Sequence, residues 1–411
     1  MAMTLGRADL EALLLGGCFF GSGGGGTIAS ARQLVSHFSQ GAYYPSDTVK
    51  VIEVDDATEG DAVMVAYMGS PEAIDGAAYP LGPVQAVECI QARLQAQGRR
   101  LAYVVPPESG ALGFTVACLV AARLGLTVVD GDGAGRAVPS LPMLTYAAQE
   151  VDPRPAVLVS QEGLSVELDV TPAKGGQGDR QHQQDVSAIV EQMMRPIVAA
   201  PEFKEFGGLA MWVMSPNQLR DAMPITGTLS RALALGQALQ TGQLKSLDAL
   251  QRMLRDRWGL AAYALCETGE LWEAAVDTTG GFDLGTVTLK SGTQTTEVLY
   301  QNESLLAWSS HQAHPVCMAP DSICWFFQGE GDAVASNGDL VQADGRLNPA
   351  YRGRPVVLLG LPAAAPLRVA DGLILDSFMA QVNTLGYRGP YVPVERLSQL
   401  SARHGQEVSH G

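Results

Sequence analysis

The stretch LAYVVPPESGALGFTVACLVAARLGLTVVDGDGAGR, residues 101–136, decides the fold class. Leu101 to Val105 is short, β-branched and closed by Pro106-Pro107, which predicts a strand. Gly110 to Leu124 has the length and apolar spacing of a helix, and Leu126 to Val129 reads as the next strand. Strand, helix, strand in that order predicts parallel pairing through a right-handed crossover. Ligands of such sheets sit beyond the carboxyl ends of the strands, so the loop Pro106 to Gly110 and the loop Asp130 to Arg136 are expected to converge.

Toward the N-terminus, Ala8 to Gly16 carries Leu10, Leu13 and Leu14 at helical spacing, with Gly16-Gly17 expected to end the helix. Thr48 to Val54 and Asp61 to Tyr67 predict strands, and Pro83 to Gln97 a helix. Residues 1–172 therefore form an α/β domain with a largely parallel sheet. Toward the C-terminus, Pro155 to Ser160 and Leu164 to Val170 predict a β pair, and the polar run Pro172 to Gly178 a linker. A second domain, 173–411, follows. Asp185 to Met194 and Leu229 to Leu239 make its first part, about 180–257, helical around a buried strand, Gly207 to Met214. Residues from about 260 to 375 alternate and turn often, which predicts a β-rich part of sandwich or barrel type.

The 411 residues suffice for two or three domains with large cores. A net charge of −16 argues against nucleic acid or an anionic membrane as partner and leaves a small molecule, with a homo-oligomer as a further expectation. No apolar run approaches the roughly 20 residues of a membrane span. Arg7, Asp9 and Glu11 break the layout of a signal peptide. The six cysteines show no Cys-x-x-Cys pair and read as reduced thiols of the cytoplasm.

Chemistry concentrates in a few places. Gly21-Ser22-Gly23-Gly24-Gly25-Gly26 precedes Thr27, a good N-cap, so the N–H groups of Gly23, Gly24, Gly25 and Gly26 with Thr27 form a candidate anion cradle, with a tight structural turn as the alternative. Asp130 and Asp132 flank one glycine and would face one pocket from an extended backbone, where mutual repulsion lifts one carboxyl toward neutrality. Arg136 follows in the same loop, and Glu108 is a second candidate base. None of the histidines His37, His182, His311, His314, His404 and His410 lies in these loops, which leaves the base to a carboxylate. His311, His314, Cys317 and Cys324 are the one close gathering of His and Cys, and a divalent cation such as zinc is the candidate cofactor there. Cys18 is flanked by Phe19 and Phe20 and reads as a buried thiol.

Gly21 to Gly26, the Glu108 loop, Asp130 to Pro139, Gly227 to Ser230, Gln301-Asn302-Glu303 and Ala319-Pro320-Asp321 together resemble the S-methyl thiohydantoin desulfurase family, also called hydantoinase-like. The resemblance spans roughly residues 8 to 375. It implies a bacterial hydrolase that expels methanethiol from an S-methyl thiohydantoin and leaves a hydantoin, in the breakdown of ergothioneine-like compounds. For that chemistry our own assignment from the residue types is that Glu108, Asp130 or Asp132 would activate water, and Arg136 or backbone N–H groups would hold the intermediate. The glycine cradle, with Thr228 and Ser230, would bind the substrate's carboxylate. The rivals are a non-catalytic protein that binds a small carboxylate and a metal-dependent cyclic amide hydrolase.

Overall fold

Alternation along strand β3, Asp61–Gly69, sends Val63 and Val65 to one face and Ala62, Met64, Ala66 and Met68 to the other, and all six are buried. A strand buried on both faces belongs to the middle of a sheet covered on both sides. The computed structural model, which describes residues 2–38, 46–69, 81–149, 151–171, 180–279, 282–370 and 372–409, places it there.

The first sheet has eight strands. In chain order they are β1 (Met3–Leu5), β2 (Val49–Ile52), β3, β4 (Leu101–Val105), β5 (Thr127–Val129), β7 (Ala156–Val159), β8 (Ser165–Leu168) and β9 (Phe206–Met214), arranged β1-β2-β5-β4-β3-β9-β7-β8. Strands β2, β5, β4 and β3 are parallel, as the β3, helix, β4, helix, β5 sequence requires, and the flanking strands pair antiparallel. One face is covered by α3 (Gly82–Ala96) and α4 (Ala111–Leu124), and α1 (Arg7–Phe20), α2 (Ile28–His37), α8 (Thr228–Gln240) and α9 (Leu247–Trp258) join the same apolar cluster, with α1 packed on α4 and α8. The other takes α5 (Thr145–Ala148), α6 (Arg180–Val198) and α7 (Pro216–Ala222). The expected linker falls within residues 172–179, outside the described residues. Sequence beyond it completes the first sheet, since β9 lies between β3 and β7.

The second sheet is a curled antiparallel half-barrel of seven strands: β11 (Tyr263–Thr279), β12 (Phe282–Ser291), β13 (Gln294–Gln301), β14 (Glu303–Ser309), β15 (Cys317–Met318), β16 (Ser322–Phe327) and β17 (Pro355–Leu361). A small ladder, β6 (Gly131–Asp132) with β10 (Ile225–Thr226), lies beside the first sheet. Helices α10 (Leu373–Thr384) and α11 (Val394–Ser409) close the chain.

Helix α1 runs through Gly16 and Gly17 to Phe20 instead of stopping at them. The reason is packing: a Cβ on Gly16 would stand 1.8 Å from the Ala232 carbonyl oxygen, and one on Gly236 would stand 1.7 Å from that of Ala12. Helices α1 and α8 thus cross backbone against backbone, while Gly17 admits the Gly110 carbonyl in the same way. Gly236→Ala tests this directly. Alanine is the better helix former by ~1 kcal/mol, yet overpacking against a carbonyl that no rotamer can move costs about 1–3 kcal/mol. A lower urea midpoint is expected, and a higher one would mean that the helices part freely.

Candidate active site

The two loops after β4 and β5 meet. Gly133 N–H donates to the Pro107 carbonyl at 2.8 Å, Tyr146 Oη donates to the Pro106 carbonyl at 2.8 Å, and Ser109 Oγ donates to Asp132 Oδ2 at 2.7 Å. These bonds hold Glu108 on the wall of a cleft of about 120 Å³, where its Oε2 accepts from Val138 N–H at 2.7 Å. Glu303 lines the same cleft from the start of β14. Asn302, at φ 57°, turns the chain between β13 and β14 in the left-handed conformation that asparagine tolerates. Gly24 leaves room for the side chain that results, since a Cβ there would stand 2.3 Å from both Cγ and Oε1 of Glu303.

Glu303 is 4% exposed, and its Oε2 has no hydrogen-bond partner among the described residues. Burial raises its carboxyl to about 7, against the opposing pull of the Arg136 charge and of bonds from its own and the Gly25 N–H. Desolvation, then the neighbouring Glu303, pushes Glu108 well above the ordinary carboxylate range. Two neighbouring carboxyls in one cleft cannot both ionise easily, which separates an acid from a base. Across the cleft stand Glu191 and Arg195 of α6. Arg195 donates to Glu191 at 2.7 Å and lies 3.8 Å from the centre of the Phe282 ring, while Glu191 accepts from Leu141 N–H at 2.9 Å. Arg195 is the one cation among the described lining residues.

The residues singled out by sequence divide. Glu108, Gly25 and Gly26 line the cleft. Asp130 does not: its Oδ1 accepts from Leu229 and Ser230 N–H at 2.9 and 3.2 Å, capping α8. Asp132 is fully buried, accepts from Ser109, Ala134 and Gly135, and is raised mainly by burial. The two aspartates hold separate pieces of backbone and face no common pocket. Arg136 is buried and donates to the carbonyls of Ala137, Pro320, Asp321 and Ser304 at 2.8 to 3.0 Å, so most of its donors are committed to the fold. Thr228 is buried at the start of α8, and Ser230 Oγ donates to Gly227, both away from the cleft.

The glycine run is filled by the protein itself. Gly23 packs on Ser304 and Asn337, Gly24 on Glu303, Gly25 on Gly110 and Gly26 on Leu112. Thr27 caps α2 by accepting from Ser30 N–H at 3.0 Å, and Ile28 N–H donates to Asp339 Oδ1 at 3.0 Å. The Asp339 carboxylate thus takes the place at the helix start expected of a substrate anion. The proposed zinc ligands do not converge, and no group of three or more metal-binding side chains occurs among the described residues. His311 is exposed, His314 Nδ1 donates to the Pro315 carbonyl at 2.9 Å, and Cys317 and Cys324 enter different apolar clusters. All six cysteines are free, and Cys18 is buried with its thiol pushed well up by desolvation.

Sequence reasoning quoted Glu303 only within the motifs of the resemblance and gave it no role, and it passed over Glu191 and Arg195. The signal for Glu303 was an acid heading the strand Glu303-Ser304-Leu305-Leu306-Ala307, where every residue is buried.

The profile described as "S-Me-THD-like, N-terminal domain" matches residues 8–170, and that described as "S-Me-THD-like, C-terminal domain" matches residues 184–394. The chain belongs to the S-Me-THD-like family. It is also similar to the X-ray crystal structure of a protein from Chromobacterium violaceum, with 53% identity and a TM-score of 0.86 over 95% of this chain and 100% of that one. No curated protein matches. Among the described residues no helix is long and apolar enough to cross a membrane.

Stability should register the buried acid. Between about 4.5 and about 7 the folded chain keeps a proton on Glu303 that the unfolded chain has lost, so stability falls as pH rises through that window. Glu303→Gln stays neutral throughout. The variant's urea midpoint is therefore expected to gain on that of the wild type from about pH 5 to about pH 8. Parallel curves would show that Glu303 does not titrate there.

Proposed function

We propose that this chain hydrolyses an S-methyl thiohydantoin-type ring to a hydantoin and methanethiol, with Glu303 and Glu108 as base and acid. The observation that carries the reading is the unpartnered Glu303 Oε2 in a cleft shared with Glu108, both carboxyls being raised. A base near 7 beside an acid that holds its proton is the pairing that hydrolysis at neutral pH requires.

In this reading Glu303 takes a proton from water as the water oxygen bonds to the sulfur-bearing ring carbon, and Glu108 gives its proton to the adjacent ring nitrogen. The intermediate then collapses. The carbon–sulfur bond breaks, Glu303 returns its proton to the departing methanethiolate, and the hydroxyl proton passes to Glu108 as the carbonyl forms. Both groups end as they began. Arg195 meets a carboxylate carried by the substrate. Arg136 acts on Glu303 through its charge, and Asp130 and Asp132 position the loops.

Methanethiol release from S-methyl thiohydantoins checks this. Glu303→Gln is expected to lower kcat by about 10²- to 10⁴-fold, the usual worth of a positioned base, while Asp130→Asn keeps the Oδ1 that caps α8 and leaves kcat near wild type. Activity should rise with pH through about 7 as Glu303 ionises. Gly24→Ala, which displaces the Glu303 side chain, should lose activity well beyond its loss of stability. A Glu303→Gln enzyme with wild-type kcat would end the proposal.

A further inference from the structure

A second cavity, of about 440 Å³, lies on the other side of the loop that carries Glu108's partner Val138: residues Ala134, Gly135 and Arg136 line it, while Val138 to Leu141 line the cleft. Its volume is within the range of small-ligand sites, roughly 300–1,000 Å³. The walls mix polar groups with apolar ones, Phe20, Ile225, Leu260, Tyr263 and Leu361 among the latter. Into this space opens Arg231, from the first turn of α8. Its guanidinium is half-buried, lies 5.5 Å from the centre of the Phe20 ring, and has no side-chain hydrogen bond or ion pair among the described residues.

That arrangement needs a reason. A partly desolvated cation with no partner is costly, and here burial depresses the guanidinium's proton affinity while Asp132 and Asp130 act only through space. Glu395, the carboxylate of the lining, is engaged by Arg368 at 2.9 Å. Arg136 adds a second positive charge to the wall. A chain of net charge −16 thus keeps a cationic, aromatic-edged cavity. An arginine whose fork is uncommitted matches a carboxylate in geometry and charge.

We propose that this cavity is a second ligand site, for a small organic carboxylate whose anionic end meets Arg231 and whose apolar body lies against Phe20 and Tyr263. The site is separate from the hydrolytic cleft and does not rest on its assignment. An occupant would sit beside Arg136, whose charge acts on Glu303, so occupancy also reaches the cleft electrostatically.

Benzoate is the probe, with neutral benzamide as its control, and isothermal titration on the full chain is the measurement. Benzoate is expected to bind at one site and benzamide not to bind. Arg231→Gln should weaken benzoate by about tenfold or more, the worth of a charge-assisted hydrogen bond. Ala364→Trp, which fills the cavity from a half-exposed position and leaves Arg231 in place, should abolish binding without unfolding the chain. Arg195→Gln, in the cleft, should leave it unchanged. Binding that Arg195→Gln removes and Ala364→Trp spares, equal binding of benzamide, or no benzoate binding at all would each overturn the proposal.

Discussion

The fold is tied together by one buried guanidinium. Arg136, from the loop after β5, bonds backbone carbonyls of Ser304, Pro320 and Asp321 in the second sheet. A cation in that position is tolerable only because fixed carbonyl dipoles replace its hydration and because Glu303 and Asp321 lie close enough to offset its charge. Everything at the cleft follows from this tie. It joins the Glu108 wall to the Glu303 wall, and it restrains how far burial can raise Glu303. Removal of Arg136 would leave several buried carbonyls unpaired at once, so its conservation of geometry and its electrostatic effect cannot be separated by a single substitution.

What the sequence made legible is what local pattern encodes. Residues 101–136 carry two strands, a helix and two loops within a few turns of chain, and the periodicity of each appears intact in the structure. The glycine run was visible as a special backbone, but its purpose was not. Whether bare N–H groups meet a ligand or the protein's own Asp339 and Glu303 depends on residues about 300 positions away. Asp130 and Asp132 looked like a pair because an extended backbone aligns alternate residues. Each was instead claimed by the nearest unpaired N–H groups, a helix start for one and a tight turn for the other. Glu303 stayed hidden because an acid in an apolar strand declares itself only when its burial is known.

Glycine is used here chiefly as missing volume. At Gly16 and Gly236 the missing Cβ lets two helices touch, at Gly25 and Gly110 it lets two loops touch, and at Gly24 it makes room for one carboxylate. Positive φ accounts for part of the set, since Gly23, Gly25 and Gly26 have it, but Gly16, Gly24 and Gly236 do not. For these the requirement is steric, and alanine is excluded by distance rather than by backbone strain.

The seam between the two halves has a consequence for how the protein is made. Glu108 emerges from the ribosome about 200 residues before Glu303, and the first sheet itself waits for β9. A nascent or truncated chain therefore presents one wall of the cleft to water, where Glu108 is an ordinary solvated acid. The raised proton affinity of Glu303 arises only when the half-barrel docks, so the titration of that carboxyl and the completion of folding are the same event.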